Sequence, residues 1–310
     1  MNTLGAFVKL IRWPNLFFIA LTQGLFYFCI SRPIFGTDIF LNKMFLLLVL
    51  ASLFIAAAGY IINDYFDMHI DAINKPSKVV VDKFVKRRWA IVWHILFSFF
   101  GLLLSLYVSY KLRQPVIAIG NFLCIVLLWF YSTTFKRKIL SGNIIISALT
   151  AWVIIILYFF VHKAASALLP GNDEFSSGAK KFYILTLAYS AFAFVVSLVR
   201  EVIKDLEDME GDARYKCETM PVKWGVPASK VFIAVWLIVC LAALAAVAVY
   251  CWQAGWWPGI IYIALCIMLP ILLVMKKLKL AVTSRDYHTL SNHMKAIMLT
   301  GILSMLFFLI

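Results

Sequence analysis

The chain has 310 residues, of which 64% are hydrophobic and only 14% are charged, and its mean hydropathy is +0.92. Soluble domains carry about 25% charged residues, so this composition excludes a soluble globular protein and predicts an integral membrane protein. The formal net charge of +14 indicates contact with anionic lipid or with an anionic substrate. Nucleic acid is not expected as a partner, because the basic residues are spread over short loops.

Nine apolar runs approach or reach the length of about 20 residues that a helix needs to cross a bilayer. We expect these spans at 15–31, 43–62, 89–110, 115–134, 143–162, 181–200, 229–252, 256–275 and 293–310. The sequence therefore predicts an all-α, polytopic membrane protein with nine transmembrane helices. The whole chain, 1–310, is expected to form a single transmembrane domain.

Basic residues are concentrated on one side of these spans. The N-terminal segment and the loops after spans 2, 4, 6 and 8 hold 22 of the 29 Lys and Arg residues. The positive-inside rule assigns this side to the cytoplasm. We therefore expect a multi-pass protein with a cytoplasmic N-terminus, located in the inner membrane if the source is bacterial.

An acidic stretch follows the second span on the predicted cytoplasmic side and reads IINDYFDMHIDAINKPSK, residues 61–78. It contains Asn63, Asp64, Asp67 and Asp71, and we call residues 63–71 the first acidic motif. Steps of three and four residues bring the aspartates within an arc of about 60° on an α-helix, with the asparagine beside them. The sequence therefore predicts a polar stripe at the end of an apolar helix.

A second acidic stretch, at the end of the sixth span on the same side, repeats this spacing 141 residues later. It contains Asp205, Asp208 and Asp212, and we call residues 205–212 the second acidic motif; Glu201 extends its stripe by one turn. The repetition predicts a duplicated four-helix unit. We expect pseudo-repeats at about 10–140 and 141–280, followed by the final helix at 293–310.

Both acidic stripes need a positive partner, because like charges at this spacing destabilise a helix by about 0.2–0.5 kcal/mol for each pair. Carboxylate and amide oxygens are ligands of Mg²⁺, which typically binds one or two carboxylates together with substrate phosphates. We expect the two motifs to converge on one magnesium pocket that holds a diphosphate. The alternative is that the acids face water and pair with lysines. A calcium loop is disfavoured, because neither motif has the EF-hand spacing.

Basic and polar side chains near both motifs are candidates for binding a diphosphate. We expect substrate contacts from Arg12, Asn15, Lys75, Tyr131, Lys136, Arg137, Lys204 and Lys216. Lys136 and Arg137 stand out because a tyrosine precedes them and their loop is short. For any one of the cations the alternative is a role in topology alone, and Arg12 could instead reach lipid headgroups.

The two acidic motifs resemble those of the UbiA superfamily of intramembrane prenyltransferases. The first motif of that family, NDxxDxxxD, is matched by the run from Asn63 to Asp71. Its DxxxD motif is matched by Asp208 and Asp212, with Asp205 ahead of them.

Two shorter segments also resemble this superfamily. Tyr131 with Lys136 is similar to its tyrosine–lysine motif, and ETMPVKWG at 218–225 is similar to its Thr-x-Pro segment. Within the superfamily, the acidic motifs are most similar to those of the digeranylgeranylglyceryl phosphate synthase branch.

This resemblance implies a nine-helix bundle around a central cavity that opens laterally to lipid. It implies Mg²⁺-dependent transfer of a polyprenyl group from a prenyl diphosphate to a membrane-associated acceptor, with geranylgeranylglyceryl phosphate as the first expectation. The catalytic carboxylates implied are Asp67, Asp71, Asp208 and Asp212. The metal ligands implied are these four together with Asn63, Asp64 and Asp205.

Three alternatives stay open at this point. The acceptor could be an aromatic quinone or haem precursor. The double bonds of the donor itself could capture the cation, as in a UbiA-type terpene cyclase. An ion-coupled transporter is the third alternative, although its acids are expected near mid-membrane in broken helices rather than at helix ends.

Overall fold

The computed structural model describes residues 3–35, 39–74, 80–168 and 173–309. Within these ranges the regular secondary structure is helical, apart from an isolated bridge between Val81 and Val85. The α-helices are α1 (Thr3–Leu10), α2 (Trp13–Leu25), α3 (Arg32–Phe35), α4 (Ile39–Asn74), α5 (Arg87–Leu112), α6 (Pro115–Thr133), α7 (Ser141–Leu168), α8 (Asp173–Arg214), α9 (Met220–Gln253), α10 (Trp257–Tyr262), α11 (Leu269–Leu280) and α12 (Ser284–Leu303). Two π segments, Phe26–Ser31 and Ile263–Met268, and two 3₁₀ segments, Phe135–Arg137 and Ser304–Leu309, complete the helical structure of these ranges.

Nine segments of the described chain are long and apolar enough to cross a membrane. They are Trp13–Phe35, Asn42–Asn74, Arg87–Leu112, Pro115–Thr133, Ser141–His162, Ser177–Arg214, Met220–Gln253, Trp257–Leu280 and Ser284–Leu309. Each one overlaps a span predicted from the sequence, so the all-α class and the nine spans are confirmed. The duplication and the central cavity stay predictions.

Local sequence explains where several of these helices begin. Pro14, Pro115 and Pro221 lie in the first turns of α2, α6 and α9. Backbone N–H groups in a first turn have no intrahelical acceptor, so proline, which lacks an N–H, costs no hydrogen bond there. Thr283 precedes α12 and forms a reciprocal capping box with Asp286.

The two helices that carry the acidic motifs are longer than a bilayer requires. α4 has 36 residues and α8 has 42, which correspond to about 54 Å and 63 Å of helix, whereas the hydrocarbon core is about 30 Å thick. In both helices the acidic motif follows the apolar segment without a break in the helix. The motifs are therefore extensions of membrane-spanning rods rather than loops.

Contacts divide the chain into two compact units. The first consists of Met1–Phe135 with Trp152–Tyr189, and the second of Lys136–Ala151 with Ser190–Ile310. The first acidic motif belongs to the first unit and the second acidic motif to the second.

In the first unit, an apolar cluster packs beside the acidic motif. Its buried members are Ala6, Leu10, Ile61, Met68, Val80, Val81, Val85 and Ala90. Ile61 and Met68 are seven residues apart and therefore lie along one line of α4. Their burial against α1 and the segment 80–85 fixes the rotation of the motif helix about its axis.

In the second unit, the acidic segment of α8 is amphipathic. Val199, Val202, Ile203 and Leu206 follow the i, i+3, i+4, i+7 spacing of one helix face and are buried in a cluster with residues of α9, α11 and α12. The acidic residues occupy the intervening positions. Apolar burial thus determines which way the stripe of carboxylates faces.

A close helix contact in the first unit depends on a glycine. A Cβ at Gly120 in α6 would lie 2.1 Å from the Trp152 ring of α7. That ring cannot move freely, because its Nε1 donates to Asn121 Oδ1 at 3.0 Å, and Asn121 Nδ2 in turn donates to Ser105 Oγ at 2.8 Å. Small residues at such contacts let membrane helices approach closely.

We predict that Gly120→Ala lowers the free energy of unfolding by about 1–3 kcal/mol, the usual range for an overpacked core. Thermal unfolding in detergent micelles measures this loss. Gly24→Ala is the matched control, because a Cβ at Gly24 has no atom within 4 Å and alanine favours a helix. Equal melting temperatures for the two variants would contradict the prediction.

Candidate active site

The first acidic motif contains a buried amide–carboxylate pair. Asn63 and Asp67 are only 9% and 4% exposed, and Asn63 Nδ2 donates to Asp67 Oδ2 at 2.6 Å. The other end of the same amide, Asn63 Oδ1, is buried and accepts no hydrogen bond within the described part of the chain. A buried acceptor without a donor costs free energy, so this oxygen is a candidate ligand for a cation.

Asp64 of the same motif is held by an arginine from outside it. Arg12 Nη2 donates to Asp64 Oδ1 at 2.5 Å, and the guanidinium also lies over the Tyr60 ring, 5.3 Å from its centroid. Arg12 adopts a left-handed backbone (φ 51°, ψ 54°) between α1 and α2, which turns the chain at this point. The charge of Asp64 raises the pKa of Arg12 above its ordinary value, against the opposing effect of burial.

The third aspartate, Asp71, is half-buried in the last turns of α4. Lys75, which we expected to contact the substrate, lies outside the described residues.

In the second motif, Asp205 receives a hydrogen bond from a distant segment. Asn143 Nδ2 donates to Asp205 Oδ2 at 2.8 Å, and Asn143 is buried in the first turn of α7. Asn143 is not among the residues that the sequence predicted for the site. Its place in the chain, five residues after Lys138, gave no signal of this role, because an amide by itself does not indicate a partner 62 residues away.

Asp212, the last acid of the second motif, is tied to the start of the next helix. It is 6% exposed, and its Oδ2 accepts a hydrogen bond from Thr219 Oγ1 at 3.2 Å. Thr219 directly precedes α9 and belongs to the Thr-x-Pro segment. Between them, Lys216 has a left-handed backbone (φ 55°) and an exposed side chain. The threonine therefore fixes the carboxylate, while the lysine stays accessible.

Lys136 and Arg137 form a 3₁₀ turn that belongs to the second unit. Lys136 is half-buried and attracts the carboxylate of Asp205 electrostatically. The Arg137 side chain is exposed, and its backbone carbonyl accepts from the Glu218 N–H at 2.8 Å. This backbone bond anchors the turn beside the segment that follows the second motif.

Lys204 is bound within the acidic stripe itself. Its Nζ contacts both oxygens of Glu201, at 2.8 and 3.1 Å. Asp208, one turn further along α8, is half-buried.

Two further predicted substrate residues are half-buried at the ends of their helices. Asn15 is half-buried in the first turn of α2, and its side chain makes no hydrogen bond to any described residue. Tyr131 is half-buried in the last turn of α6. Their roles stay predictions.

The side chains of the first motif suit a hard metal ion that needs few protein ligands. In the described ranges, no three His, Cys, Asp or Glu side chains group into a ready-made cage. Mg²⁺ does not require one, because it typically takes one or two carboxylates and completes its shell with water and substrate phosphates. The buried, unsatisfied Asn63 oxygen beside the Asp67 carboxylate therefore fits this ion.

Comparison with known proteins identifies the class. A family model described as the UbiA prenyltransferase family matches residues 16–294. The chain therefore belongs to the UbiA prenyltransferase family, and the family predicted from the acidic motifs is confirmed.

Similar curated proteins include enzymes named digeranylgeranylglyceryl phosphate synthase. The one from Methanoregula boonei is 31% identical over 224 residues, which cover 72% of each chain. The one from Korarchaeum cryptofilum is 28% identical over 312 residues, which cover 99% of this chain and 98% of the relative.

Solved structures share the fold over almost the whole chain. A structure described for digeranylgeranylglyceryl phosphate synthase in membranes aligns with a TM-score of 0.64 at 24% identity, over 99% of both chains. A UbiA homologue from Archaeoglobus fulgidus bound to DMAPP and Mg²⁺ aligns with a TM-score of 0.59 at 14% identity, over 96% of this chain and 98% of that one.

We predict that Thr219→Val slows prenyl transfer roughly tenfold, because a hydrogen bond to a charged group is worth about 1.5–3 kcal/mol and its loss releases the Asp212 carboxylate. Thr219→Ser keeps the hydroxyl and should retain most of the wild-type rate. Initial rates in membranes, normalised to the amount of folded protein, check this. If the Thr219→Val and Thr219→Ser variants were equally active, the Thr219 hydroxyl would have no part in positioning the Asp212 carboxylate.

Proposed function

We propose that this protein catalyses the Mg²⁺-dependent transfer of a polyprenyl group from a prenyl diphosphate to a glycerol-phosphate-type lipid, best represented by geranylgeranylglyceryl phosphate. The observation that carries the proposal is the buried pair of Asn63 and Asp67, whose amide oxygen lacks a donor in the described structure. The second motif supplies a further set of aspartates at the same spacing.

The metal-binding residues are, in this proposal, Asn63, Asp64, Asp67 and Asp71 of the first motif and Asp205, Asp208 and Asp212 of the second. When bound, Mg²⁺ would neutralise charge on the diphosphate and so improve it as a leaving group. The UbiA homologues bound to DMAPP with Mg²⁺ and to GPP with Mg²⁺ support the ion and the class of donor.

Other side chains hold the carboxylates in position for this task. Arg12 binds Asp64, Asn143 donates to Asp205 and Thr219 donates to Asp212. Each donor offsets part of the repulsion between neighbouring carboxylates and fixes the direction of their lone pairs. The motifs are in this way pre-organised before a ligand arrives.

The basic side chains act on the diphosphate directly. Lys136 is the strongest candidate, because it is half-buried and already lies within the electrostatic range of Asp205. Arg137 and Lys216 are exposed and free to reach a ligand that approaches from solvent. Their positive charge stabilises the negative charge that builds up as the diphosphate departs.

The reaction breaks the allylic C–O bond of the donor and forms a new C–O bond to the acceptor. The diphosphate leaves with the electron pair of the first bond. The acceptor oxygen attacks the allylic carbon, and its hydroxyl proton passes to the departing diphosphate. Apolar surroundings exclude water, which would otherwise capture the carbocation. The names of the curated relatives, digeranylgeranylglyceryl phosphate synthases, support a glycerol-phosphate lipid as acceptor.

The orientation proposed for the protein has the N-terminus and both acidic motifs in the cytoplasm. Its support is the excess of Lys and Arg on that side, 22 of 29 residues. Such an orientation gives the motifs access to cytosolic Mg²⁺ and to the charged diphosphate group of the donor.

We predict that Asp67→Asn and Asp208→Asn each reduce turnover by about 100-fold or more, which is the usual cost of removing one group that stabilises transition-state charge. Both variants should fold, because asparagine has the shape of aspartate. Transfer rates are measured in membranes across a Mg²⁺ titration. Glu210→Gln is the control, since Glu210 is an exposed acid on the same helix as Asp208 and pairs with Arg214. Full activity in either aspartate variant would refute the assignment.

The identity of the acceptor is tested by its products. The purified protein in lipid vesicles receives a C20 prenyl diphosphate with Mg²⁺ and a panel of glycerol-phosphate lipids and aromatic acids, and mass spectrometry identifies what forms. We expect a mass increase of one prenyl group on the glycerol-phosphate lipid. Prenylated aromatic products alone, or hydrocarbon formed without any acceptor, would overturn the proposed acceptor.

A further inference from the structure

A cluster of charged residues lies in α8 just before the second acidic motif. Arg200 Nη1 donates to Glu201 Oε1 at 3.0 Å, and Lys204 Nζ donates to the same oxygen at 2.8 Å. One carboxylate oxygen therefore serves two cations. This trio has no part in the metal chemistry proposed above, apart from its position on the same helix.

The arginine in this cluster is half-buried and incompletely bonded. Its side chain is 15% exposed and that of Glu201 is 11% exposed. Arg200 Nε is buried and has no hydrogen-bond partner among the described residues. Within the same residues, the arginine forms its ion pair with Glu201, through Nη1. Guanidinium carries five N–H donors in a fixed plane, and leaving one of them unsatisfied in a protein interior is unfavourable.

The cost of this arrangement suggests that an anion completes it. Charged residues within membrane-spanning segments are expensive, and they typically mark substrate sites. An arginine with an unused donor is suited to phosphate, because its planar fork matches two phosphate oxygens. Lys204, whose side chain is 28% exposed, is the more accessible of the two cations.

The spacing along α8 places this cluster next to the proposed reaction centre. Arg200, Lys204 and Asp208 are successive residues of one i, i+4, i+8 row, and they lie along one side of an unbroken helix. The helical rise separates Lys204 from Asp208 by about 6 Å along the axis and Arg200 from Asp208 by about 12 Å. A phosphate bound by the two cations thus lies next to the metal-binding carboxylates, on their apolar side.

We infer that Arg200 and Lys204 bind the phosphate monoester of the acceptor lipid, which makes them specificity residues for a phosphorylated acceptor. This inference rests on the proposed function. The bound phosphate fixes the glycerol backbone, so that its free hydroxyl, only a few carbon atoms away, is presented to the allylic carbon. Glu201 positions both cations and keeps them paired when no substrate is present.

The phosphate could in principle come from either substrate, and the geometry favours the acceptor. The donor diphosphate belongs with the aspartates and their metal, whereas Arg200 lies more than one turn before Asp205, the first of those aspartates, and further into the apolar segment of α8. A carboxylate at the centre of the cluster would also repel the highly charged diphosphate more strongly than a single phosphate group.

The test separates the two substrates kinetically. Arg200→Gln and Lys204→Gln are prepared in full-length protein in vesicles, and KM is measured for geranylgeranylglyceryl phosphate and for the C20 diphosphate. Each variant should raise the KM for the acceptor roughly tenfold to a hundredfold, the value of a charge-assisted hydrogen bond, and leave the donor KM within about twofold. Arg214→Gln is the matched control, because Arg214 is an exposed arginine of the same helix and pairs with Glu210.

A second acceptor makes the result specific to phosphate. Geranylgeranylglycerol, which lacks the phosphate, should react slowly and at equal rates with wild type and both variants. Arg200→Lys keeps the charge without the planar fork, so its KM for the phosphorylated acceptor should fall between those of the wild type and Arg200→Gln. If one variant fails to fold, as judged by thermal unfolding, the other still gives the KM comparison.

The remaining outcomes distinguish a failure of the phosphate site from a failure of the proposed acceptor. A raised donor KM, or an equal loss of rate with both acceptors, overturns the phosphate site and assigns the cations to the diphosphate or to structure. A wild-type protein that prenylates no glycerol-phosphate lipid overturns the proposed acceptor and this site together. A wild type that does so with unaffected variants overturns the site alone.

Discussion

Repulsion between carboxylates on a rigid helix is the constraint on which the rest of the site depends. Three aspartates lie within one narrow arc of α4 and three within one arc of α8, and continuous helix keeps them from moving apart. Each motif is stabilised by donors brought in from elsewhere in its own unit: Arg12 to the first, and Asn143 and Thr219 to the second. The acids of each motif are thus held in place by polar contacts from outside their own stripe.

Each of the two motif helices has one face that packs in the apolar core and another that carries the acidic residues. Ile61 and Met68 fix the rotation of α4, and the row from Val199 to Leu206 fixes that of α8. Burial of these residues sets the direction of the acidic stripes, so the hydrophobic core also determines where the carboxylates point. In this protein, apolar substitutions at these positions should therefore affect the site without touching a substrate.

The sequence was sufficient to predict the spans and the stripes, because both depend on local periodicity. It placed the ends of the second and sixth spans at 62 and 200, whereas the helices continue to Asn74 and Arg214. Hydropathy detects where apolar residues stop, but a helix continues as long as its backbone hydrogen bonds are made. The acidic residues were correctly assigned to helix, since their spacing matches its period.

The partners of the acids could not be predicted in the same way. Asn143 is 62 residues from Asp205 in the chain, and Arg12 is 52 residues from Asp64, so each contact depends on tertiary packing. Thr219 is close to Asp212 in sequence, but only the turn between α8 and α9 brings its hydroxyl to the carboxylate. A single asparagine or threonine at the start of a helix carries no local signal of such a partner.

The uninterrupted course of α8 limits how this region can evolve. An insertion of one residue directly after Arg200 would rotate everything that follows by 100° and shift it by 1.5 Å. The row of cations and carboxylates would then be split between two faces, and Val202 to Leu206 would lose their register with the core. Substrate preference can therefore change through substitutions in this segment, but not through insertions or deletions. Natural differences in length should be confined to the connections between helices.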